Sequence, residues 1–458
     1  MLYAGTEDVN RDQGGCAVAG ERYDVAVVGG SLAGCASAVF LGRAGLRVAL
    51  LERHTDPKAY KHLCTTAIQA SAVPTIQRLG LDGPIEAAGG LRTGLAMWTR
   101  WGWIRDTAGD GYGYDIRREK LDPMIRELAA ATPGVDYLPG HTARAVLTDG
   151  GRVAGVGVDT PDGRSREIRA RLVVGADGRS SEVAQVAGVG ARVVREHNRA
   201  GYFAYFRNVE LPHPGHAHIW MLEPDVAYAF PHDDGLSILA MMFTKERVPA
   251  FKADVQGNFL AFLESVPGFA RFDPADRASK VIGLIDHPNL WRRRPPPGLA
   301  FVGDAAVSAD PLFGIGCGWA LQEAEWLADA TAPAFGSDRE IDRAVQRYRA
   351  TLRSKLAGHF FLVSDYSTGR AFNPVEKLTF SAAARDPKAA HLVSEFGART
   401  IPARRLLAPG ALAHAVRVNV APGGRAGSAT TKQNLAMLRR RAKTGGFAHR
   451  AAATSVRP

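Results

Sequence analysis

Apolar and glycine positions at the start of the chain predict a strand, a helix and a second strand. Residues 23–28 (YDVAVV) form the short Val-rich run typical of a strand buried on both faces, and residues 32–44 place Ala, Leu, Val and Phe at helical spacing. Gly45 follows, and the run LRVALLE then reaches Glu52. A strand, a helix and another strand form a βαβ unit, so we expect an α/β fold.

The period of the pattern changes several times later in the chain. Residues 90–116 hold the strand-like MWTRWGWI, RREKLDPMIRELA begins an amphipathic helix, and residues 151–175 predict a β-meander. Residues 195–285 alternate Val, Phe, Tyr and Ile with polar positions, which predicts a separate antiparallel sheet. The run LAFVGDAA then starts a new buried strand, and from about residue 335 the pattern is mostly helical.

The turn after the first strand reads VVGGSLAG, with Ser31 where a dinucleotide-binding turn has its second glycine. Gly29 would make the tight turn, and Gly34 would let helix and strand pack closely. Glu52 stands at the end of the second strand, where a carboxylate can accept hydrogen bonds from an adenosine ribose. The turn therefore predicts an ADP-containing cofactor and leaves NAD and FAD both open; a βαβ unit that binds nothing is the alternative.

A second glycine-rich loop, GDAAVSADPLFGIGCG, follows the strand at residues 299–302. Asp304 at the strand end is suited to a polyhydroxy chain, and Gly314, Gly316 and Gly318 keep side chains away from the start of the next helix. A helix N-terminus offers unpaired N–H donors and partial positive charge, which suits the negative edge of a reduced isoalloxazine. This loop favours a flavin.

Three motifs in order resemble a known family: VVGGSLAG with Glu52, GADGRSS at 175–181, and GDAAVSADPLFGIG at 303–316. The chain resembles the FAD-dependent oxidoreductases that include the p-hydroxybenzoate-hydroxylase-like (group A) monooxygenases, the geranylgeranyl reductases and, more remotely, the flavin-dependent halogenases. The resemblance implies a Rossmann-like FAD-binding domain of the GR2 type, with an inserted antiparallel substrate sheet and a C-terminal helical region. It implies that FAD is the cofactor, with NAD(P)H as a transient reductant.

The resemblance also assigns residues to the cofactor. The ADP half takes the glycine turn and the end of the second strand, Arg118 from RREKLD lies at the FAD periphery, GADG lies at the pyrophosphate, and GD and the Pro/Gly loop hold the ribityl chain and the flavin edge. The implied FAD-binding residues are Gly29, Gly30, Ser31, Leu32, Ala33, Gly34, Glu52, Arg53, Arg118, Asp177, Gly178, Gly303, Asp304, Pro311, Gly314, Ile315 and Gly316. Ala184 and Val307 stand where the family often has Arg and His, so nicotinamide handling is left open.

These segments give a domain plan. We expect a flexible leader at 1–21, a discontinuous FAD-binding domain at 22–89, 117–194 and 286–335, a substrate sheet at 90–116 and 195–285, a helical region at 336–420, and a basic, disordered tail at 421–458.

Composition and charge narrow the class of protein. The net charge is +11, but eight Lys or Arg and no acid fall after residue 420, so the excess lies in the tail, and nucleic-acid binding is not expected. The sequence has no apolar run long enough to span a membrane and no secretory signal, which predicts a cytoplasmic protein. Four cysteines without CxxC spacing (Cys16, Cys35, Cys64 and Cys317) predict neither a disulfide framework nor a metal site.

The presence of a flavin does not by itself determine which reaction the protein catalyses. A halogenase should have WxWxIP and an isolated lysine, but WGWI is followed by Arg105, and Lys58 and Lys61 are expected to be solvated. A geranylgeranyl reductase should have YxWxFP, of which only Phe230 and Pro231 remain, although Cys64 is similar to the flavin-facing cysteine region of those enzymes.

The incomplete rival motifs favour an NAD(P)H-dependent monooxygenase that hydroxylates or epoxidises a small aromatic or polyketide-like substrate. Alkene reduction, halogenation and a flavin-binding protein without turnover remain alternatives, as does a flavin reductase partner if NAD(P)H is not used directly. No catalytic acid or base is assigned. The candidate pocket residues are Trp101, Trp103, Trp220, Tyr228 and Phe230.

Overall fold

The computed structural model describes residues 22–64, 66–106, 109, 111–193, 196–421 and 428–443; the predicted leader at 1–21 lies outside them. The strands are β1 (Arg22–Val28), β2 (Val48–Glu52), β3 (Ala67–Ile68), β4 (Leu91–Thr99), β5 (Gly102–Arg105), β6 (Gly113–Asp115), β7 (Val135–Pro139), β8 (Thr142–Asp149), β9 (Arg152–Asp159), β10 (Ser165–Gly175), β11 (Ala191–Val193), β12 (Arg199–Arg207), β13 (His216–Met221), β14 (Val226–Pro231), β15 (Leu236–Thr244), β16 (Ile282–Leu284), β17 (Leu290–Arg292), β18 (Leu299–Phe301) and β19 (Val307–Ser308).

The helices are α1 (Leu32–Arg43), α2 (Val73–Leu79), α3 (Asp82–Ala87), α4 (Arg118–Ala130), α5 (Glu182–Val186), α6 (Val248–Lys252), α7 (Val255–Glu264), α8 (Gly316–Thr331), α9 (Asp338–Tyr366), α10 (Pro374–Ala383), α11 (Pro387–Ala398), α12 (Ala403–Leu406), α13 (Pro409–Val420) and α14 (Ser428–Lys443).

The first sheet carries the predicted βαβ unit at its centre. Its strand order is β7-β2-β1-β10-β9-β8, with β18 added beside β10. The pairs β7/β2, β2/β1, β1/β10 and β10/β18 are parallel, whereas β9 and β8 are antiparallel to their neighbours. Because the carboxyl ends of parallel strands share one edge, the turns after β1, β2, β10 and β18 meet there. These turns carry the three sequence motifs.

The second sheet is built from residues on both sides of that unit. Its order is β16-β12-β15-β14-β13-β4-β6-β3, with β5 beside β4, so β4 to β6 join β12 to β16 in one layer. The sheet is not fully antiparallel as expected, because β13 runs parallel to β4. A short third sheet joins β11, β17 and β19 between the two. The α/β prediction with an inserted sheet and C-terminal helices is confirmed.

Three apolar clusters cover the sheets. The largest fills the space between the first sheet and helices α1, α4, α8 and α9. The second lies between one face of the second sheet, the loop at Leu312 and Phe313, and the C-terminal helices. The third lies on the opposite face of that sheet, against α7. Both faces of the second sheet are therefore buried, and only one of them meets the glycine-rich loop.

Within the tail predicted at 421–458, residues 428–443 form α14, and residues 422–427 and 444–458 lie outside the described residues. Arg441 is 7% exposed, and its Nη1 donates to Asp225 Oδ2 at 2.9 Å. Leu438 is buried in the third apolar cluster. The low content of large apolar residues suggested a segment unable to order itself alone, but α14 is ordered by packing on the second sheet.

No helix within the described ranges is long and apolar enough to cross a membrane.

Candidate cofactor and substrate site

The glycine positions of the turn after β1 leave no room for a side chain. Gly29 has a φ of +114°, and a Cβ there would lie 2.5 Å from the carbonyl oxygen of Ala176. A Cβ at Gly34 would lie 1.8 Å from the carbonyl oxygen of Gly29, and one at Gly30 would lie 2.8 Å from the Cβ of Glu52. A cofactor phosphate can therefore approach the start of α1 without meeting a side chain at these positions.

Glu52 is oriented by two backbone donors. The N–H of Gly30 donates to Oε2 at 2.8 Å, and the N–H of His54 donates to Oε1 at 2.9 Å. The side chain is buried at the end of β2. Each carboxylate oxygen has a second lone pair, so both remain able to accept from ribose hydroxyls.

Ser31 connects the glycine turn to α4. Its Oγ accepts a hydrogen bond from Arg118 Nη2 at 2.9 Å, and Arg118 Nε donates to Asp122 Oδ1 at 2.7 Å. Arg118 is almost fully buried. The serine that departs from the usual glycine pattern thus has a partner on α4, which the sequence separates from it by 87 positions.

A second arginine on α4, which sequence reasoning missed, also supports the turn. Arg126 Nε donates to the carbonyl oxygen of Gly30 at 3.3 Å, and its Nη2 donates to that of Ala59 at 2.9 Å. The hydrophobic face of α4 could be read from the sequence, but no local signal places Arg126 beside the first glycine turn.

Asp304 follows β18 and forms an ion pair with Lys61. Lys61 Nζ lies 2.9 Å from Asp304 Oδ2. The charge of Asp304 raises the pKa of Lys61; burial opposes ionisation of Asp304, but Lys61 outweighs it and lowers the pKa of that carboxyl. Both groups are therefore charged at neutral pH. Lys61 is exposed to solvent as expected, with 47% of its side chain accessible, but it also pairs with Asp304, which the sequence did not indicate.

Gly303 is held by a buried glutamate that sequence reasoning also missed. Its φ is +61°, a Cβ there would lie 2.8 Å from the Cβ of Ala33, and its N–H donates to Glu323 Oε2 at 2.7 Å. Glu323 is completely buried on α8, and burial raises its pKa well above the usual range. The GD turn is thus fixed to both α1 and α8.

The loop at 311–316 ends in an open helix start. Pro311–Phe313 form a single 3₁₀ turn, Gly314 has a φ of +62°, and α8 begins at Gly316, where a Cβ would meet no atom within 4 Å. Asp310 caps the turn through the N–H of Leu312 at 2.8 Å, and its Oδ2 lies 3.0 Å from His197 Nε2. A buried polar contact therefore fixes the loop to the segment that leads into β12.

The GADG turn after β10 uses its carboxylate internally. Asp177 accepts from Ser181 Oγ at 2.6 Å and from the N–H of Val183 at 2.9 Å. Burial raises the pKa of Asp177. Gly178 has a φ of +82° with open space around a built Cβ. Asp177 therefore shapes the turn, and the backbone at Gly178 is the part open to a ligand.

The remaining implied cofactor residues differ in burial. Arg53 is exposed, and its Nε lies 3.2 Å from His54 Nε2. Leu32 and Ala33 are buried in the first turn of α1, and Ile315 is buried before α8. These three can offer a ligand only their backbone, whereas Arg53 reaches solvent beside Glu52.

Two cysteines meet beside Arg118. Cys64 Sγ lies 3.5 Å from Cys317 Sγ, and Arg118 Nη1 lies 3.8 Å from Cys317 Sγ. The N–H of Thr66 donates to Cys64 Sγ at 3.3 Å. A hydrogen bond from the Cys317 thiol, together with the charges of Arg118 and Lys61, outweighs burial and lowers the pKa of Cys64 to about 5. Cys64 is therefore the more acidic of the two thiols, and it lies beside Cys317 at the start of α8.

The candidate pocket aromatics do not lie together. Tyr228 and Phe230 belong to the cluster that meets Leu312, and Tyr228 Oη donates to the Leu312 carbonyl. Trp220 and Trp103 lie on the other face of the second sheet, with ring centroids 5.3 Å apart.

Strand geometry explains the separation, because successive residues point to opposite faces. Ile219 pairs with Tyr228, so its neighbour Trp220 must face away. Trp101 packs near the loop-side cluster, stacked on Phe372. Trp103 and Trp220 are therefore core residues of the far face and not part of a pocket at the glycine-rich loop.

The residues present fit an FAD molecule. The glycine turn is too tight for side chains, a buried carboxylate stands at the end of β2, another ends β18, and α8 opens with an unencumbered Gly316. These groups lie at the shared carboxyl edge of the first sheet, where ligands of such folds bind.

The comparisons with known proteins agree with this geometry. The FAD binding domain family matches residues 22–246. Digeranylgeranylglycerophospholipid reductase from Picrophilus torridus is 26% identical over 342 residues, which cover 73% of this chain and 84% of that protein. Two solved structures share the fold.

A geranylgeranyl bacteriochlorophyll reductase-like protein from Thermoplasma acidophilum has a TM-score of 0.64 and 18% identity, over 91% of this chain and 99% of that one. PqsL from Pseudomonas aeruginosa, a probable FAD-dependent monooxygenase, has a TM-score of 0.61 and 21% identity, over 76% and 98%. Residues 22–246 therefore belong to the FAD binding domain family, and most of the chain is similar to proteins described as a reductase and a probable FAD-dependent monooxygenase.

Proposed function

We propose that the chain is an FAD-dependent reductase that saturates a carbon–carbon double bond in a largely apolar substrate. The observation that carries this proposal is the Cys64 and Cys317 thiol pair at the start of α8. The sequence favoured oxygen insertion because the reductase motif YxWxFP is incomplete. The position of Cys64 beside Cys317 now favours reduction.

The thiol pair suits a site in which no peroxide accumulates. Thiolates are the form of cysteine that oxidants attack, giving sulfenic acid and then a disulfide. The pKa of Cys64 is lowered, chiefly by the hydrogen bond from Cys317, and the two sulfurs lie 3.5 Å apart. A flavin that activates oxygen beside this pair would expose it to oxidation in each uncoupled turnover, whereas a flavin that delivers hydride to an alkene would not.

The relatives support the same choice. The Picrophilus torridus reductase is similar over most of both chains, and its name describes reduction of an isoprenoid lipid. The loop-side face of the second sheet is apolar, with Met97, Phe203 and Phe230 buried in its cluster, and an isoprenoid chain would bind against this face. Hydride transfer is chemistry that FAD supplies; the chain binds the cofactor, excludes water and holds the substrate.

We further propose that the residues named in the sequence analysis hold FAD, with the buried carboxylate of Glu52 toward the ribose, Asp304 toward the ribityl chain and the backbone of 314–316 toward the flavin edge. Lys61 then accompanies Asp304 as its counter-ion. NAD(P)H, or a separate flavin reductase, supplies the electrons.

Anaerobic turnover tests the proposal. The FAD-loaded chain is reduced by NAD(P)H or dithionite without oxygen and mixed with geranylgeraniol, its phosphate and a panel of aromatic alkenes. We expect at least one compound to gain about 2 Da for each saturated bond. A reduced flavin that leaves every alkene unchanged, while aerobic incubation incorporates labelled oxygen into a product, would overturn reduction.

The second candidate is the monooxygenase predicted from the sequence. The fold of PqsL, a probable FAD-dependent monooxygenase, favours it. Tyr228 and Phe230 would then line an aromatic substrate pocket on the loop side. Oxygen-dependent consumption of NAD(P)H that rises with substrate, together with one labelled oxygen atom in the product, would establish this alternative.

A further inference from the structure

Arg399 is a partly buried cation beside the glycine-rich loop, with no acidic partner among the residues that the structure describes. It follows α11, and its guanidinium carbon lies 5.1 Å from the ring centroid of Phe313 and 5.3 Å from that of Phe396. Across the described part of the chain, no carboxylate forms an ion pair with it. Burial lowers the pKa of Arg399 to about 9. The side chain is still cationic at neutral pH.

The hydrogen bonds of Arg399 leave one particular edge unused. Nη1 donates to the carbonyl oxygen of Phe396 at 2.9 Å. Nε and Nη2 are shielded from solvent and have no hydrogen-bond partner among the described residues. These two nitrogens stand side by side on one edge of the planar guanidinium, so their N–H groups are parallel. A parallel pair of donors on a cation is the arrangement that binds both oxygens of a carboxylate or two oxygens of a phosphate.

Two polar residues, Gln69 and His359, lie near Arg399 among aromatic side chains. Gln69 Nε2 donates to the carbonyl oxygen of Phe313 at 2.9 Å, and Gln69 Oε1 has no partner within the described ranges. His359 Nε2 lies 3.1 Å from the carbonyl oxygen of Ile401. Burial, and then the charge of Arg399, lower the pKa of His359 to about 3, so it is neutral. Neither neighbour can balance the positive charge.

The position of Arg399 relates it to the substrate side of the loop. Phe313, whose ring covers the guanidinium, belongs to the 311–313 turn before α8 and packs against the loop-side cluster of the second sheet. Phe313 is only partly buried, and its ring lies against the face of the guanidinium. A buried unpaired charge is costly, and an anionic ligand at this edge would offset that cost.

We propose that Arg399 forms an oxyanion subsite of the substrate pocket, which binds a carboxylate or phosphate group through Nε and Nη2. The substrate would then be amphipathic, with its apolar part on the loop-side face of the second sheet and its anionic end at Arg399. The identification of the bound anion as part of the substrate rests on the proposed function. The binding of an oxyanion at Arg399 does not depend on which reaction the flavin performs.

The test measures binding without turnover, by calorimetric titration of the FAD-loaded chain with benzoate, phenyl phosphate and the neutral benzamide. We expect one or both anions to bind at least roughly tenfold more tightly than benzamide. Arg399→Gln should abolish that preference and leave benzamide binding unchanged, and Arg399→Lys should restore part of it. Arg404→Gln, at an exposed arginine on nearby α12, is the matched control and should bind as the wild type does.

The outcomes separate the possibilities. Preference for benzoate alone identifies a carboxylate site, and preference for phenyl phosphate alone identifies a phosphate site. Equal binding of benzamide and both anions to the wild-type chain overturns the inference even if Arg399→Gln fails to fold, as does unchanged anion binding by a folded Arg399→Gln variant. Absence of alkene reduction would count against the proposed function and would leave this result unaffected.

Discussion

Lys61 Nζ lies 2.9 Å from Asp304 Oδ2, although 243 positions separate the two residues. The loop that follows β2 therefore reaches across the carboxyl edge of the first sheet to the turn after β18. In this way the residue expected at the ribityl chain is already charged and oriented before a cofactor binds. The pair also connects the loop that carries Cys64 to the turn that carries Gly303.

We expect Asp304→Asn to weaken FAD binding by roughly ten- to a hundredfold. A hydrogen bond to a charged group contributes about 1.5–3 kcal/mol, and the neutral amide of Asn can accept only a weaker bond from a ribityl hydroxyl. FAD affinity is measured by fluorescence titration of the apoprotein. Asp329→Asn removes a carboxylate that pairs with Arg78 at the exposed end of α8, so it should change affinity little. Equal affinities for the two variants would contradict the assignment of Asp304.

Gly34→Ala should abolish FAD retention. The added Cβ would lie 1.8 Å from the carbonyl oxygen of Gly29, so α1 or the turn must shift away from the cofactor. Gly83→Ala on α3, where a Cβ would meet nothing within 4 Å, is the control and should retain the cofactor. The ratio of FAD to protein after gel filtration, with circular dichroism to follow folding, measures both. A yellow, fully loaded Gly34→Ala protein would refute the close packing of this turn.

Cys64 and Cys317 should form a disulfide on mild oxidation, because their sulfurs lie 3.5 Å apart and the pKa of Cys64 is lowered. Treatment of the FAD-loaded chain with diamide should lower the intact mass by about 2 Da, since two thiols lose two hydrogens. Cys317→Ser should prevent this change, whereas Cys35→Ser, at a buried cysteine with a raised pKa, should not. Loss of mass in the Cys317→Ser variant would show that other cysteines react.

The parts of this site that lie close together in the sequence could be predicted from it. The spacing from Gly29 to Gly34 and on to Glu52 follows from one strand, one helix and the next strand, so each position is fixed by local geometry. The same holds for Asp304 and the loop before α8. For these residues, the sequence motif by itself determines the three-dimensional turn.

The long-range contacts could not be predicted. Lys61 is a charged residue in an irregular loop, and only the fold places it at Asp304. Glu323 stands in a helix whose pattern shows no reason for a buried carboxyl, yet it holds Gly303. Trp220 was assigned to the pocket from its residue type, but the pairing of Ile219 with Tyr228 turns it to the far face.

The stability of the chain should depend on Asp233 in a manner set by pH. Burial opposes its ionisation, but hydrogen bonds from Arg117 and Lys120 outweigh burial and lower the pKa of Asp233 to about 2. Because the folded pKa is below the unfolded value, the stabilisation is present above about pH 4 and is lost as the pH falls toward 2. Asp233→Asn should therefore reduce the free energy of unfolding by roughly 2 kcal/mol at pH 7.

Urea denaturation at several pH values measures this difference. The difference in the free energy of unfolding between the wild type and Asp233→Asn should be constant between pH 7 and pH 5 and should decrease below about pH 4. Asp234→Asn is the control, because that side chain is 54% exposed although it contacts the same two cations. Its effect should be well below that of Asp233→Asn at every pH. A difference for Asp233→Asn that grows as the pH falls would contradict the sign.

The last prediction concerns α14, which lies in the segment that the sequence predicts to be a disordered tail. Arg441 Nη1 donates to Asp225 Oδ2 at 2.9 Å, its Nε donates to Ser265 Oγ at 2.9 Å, and its guanidinium carbon lies 3.9 Å from the ring centroid of Phe262. Arg247 also pairs with Asp225, so loss of Arg441 leaves that carboxylate one cation. Arg441→Gln should therefore lower the free energy of unfolding by about 1–3 kcal/mol.

Truncation after Val420 should destabilise the chain more than Arg441→Gln, because it also uncovers the apolar cluster that buries Leu438. Arg439→Gln changes an exposed arginine of the same helix and should have almost no effect. Thermal unfolding of the three variants, with FAD bound, gives the comparison. Because α14 packs on the far face of the second sheet, away from the glycine-rich loop, FAD affinity should be unchanged in Arg441→Gln. A truncated chain as stable as the wild type would show that α14 contributes no burial.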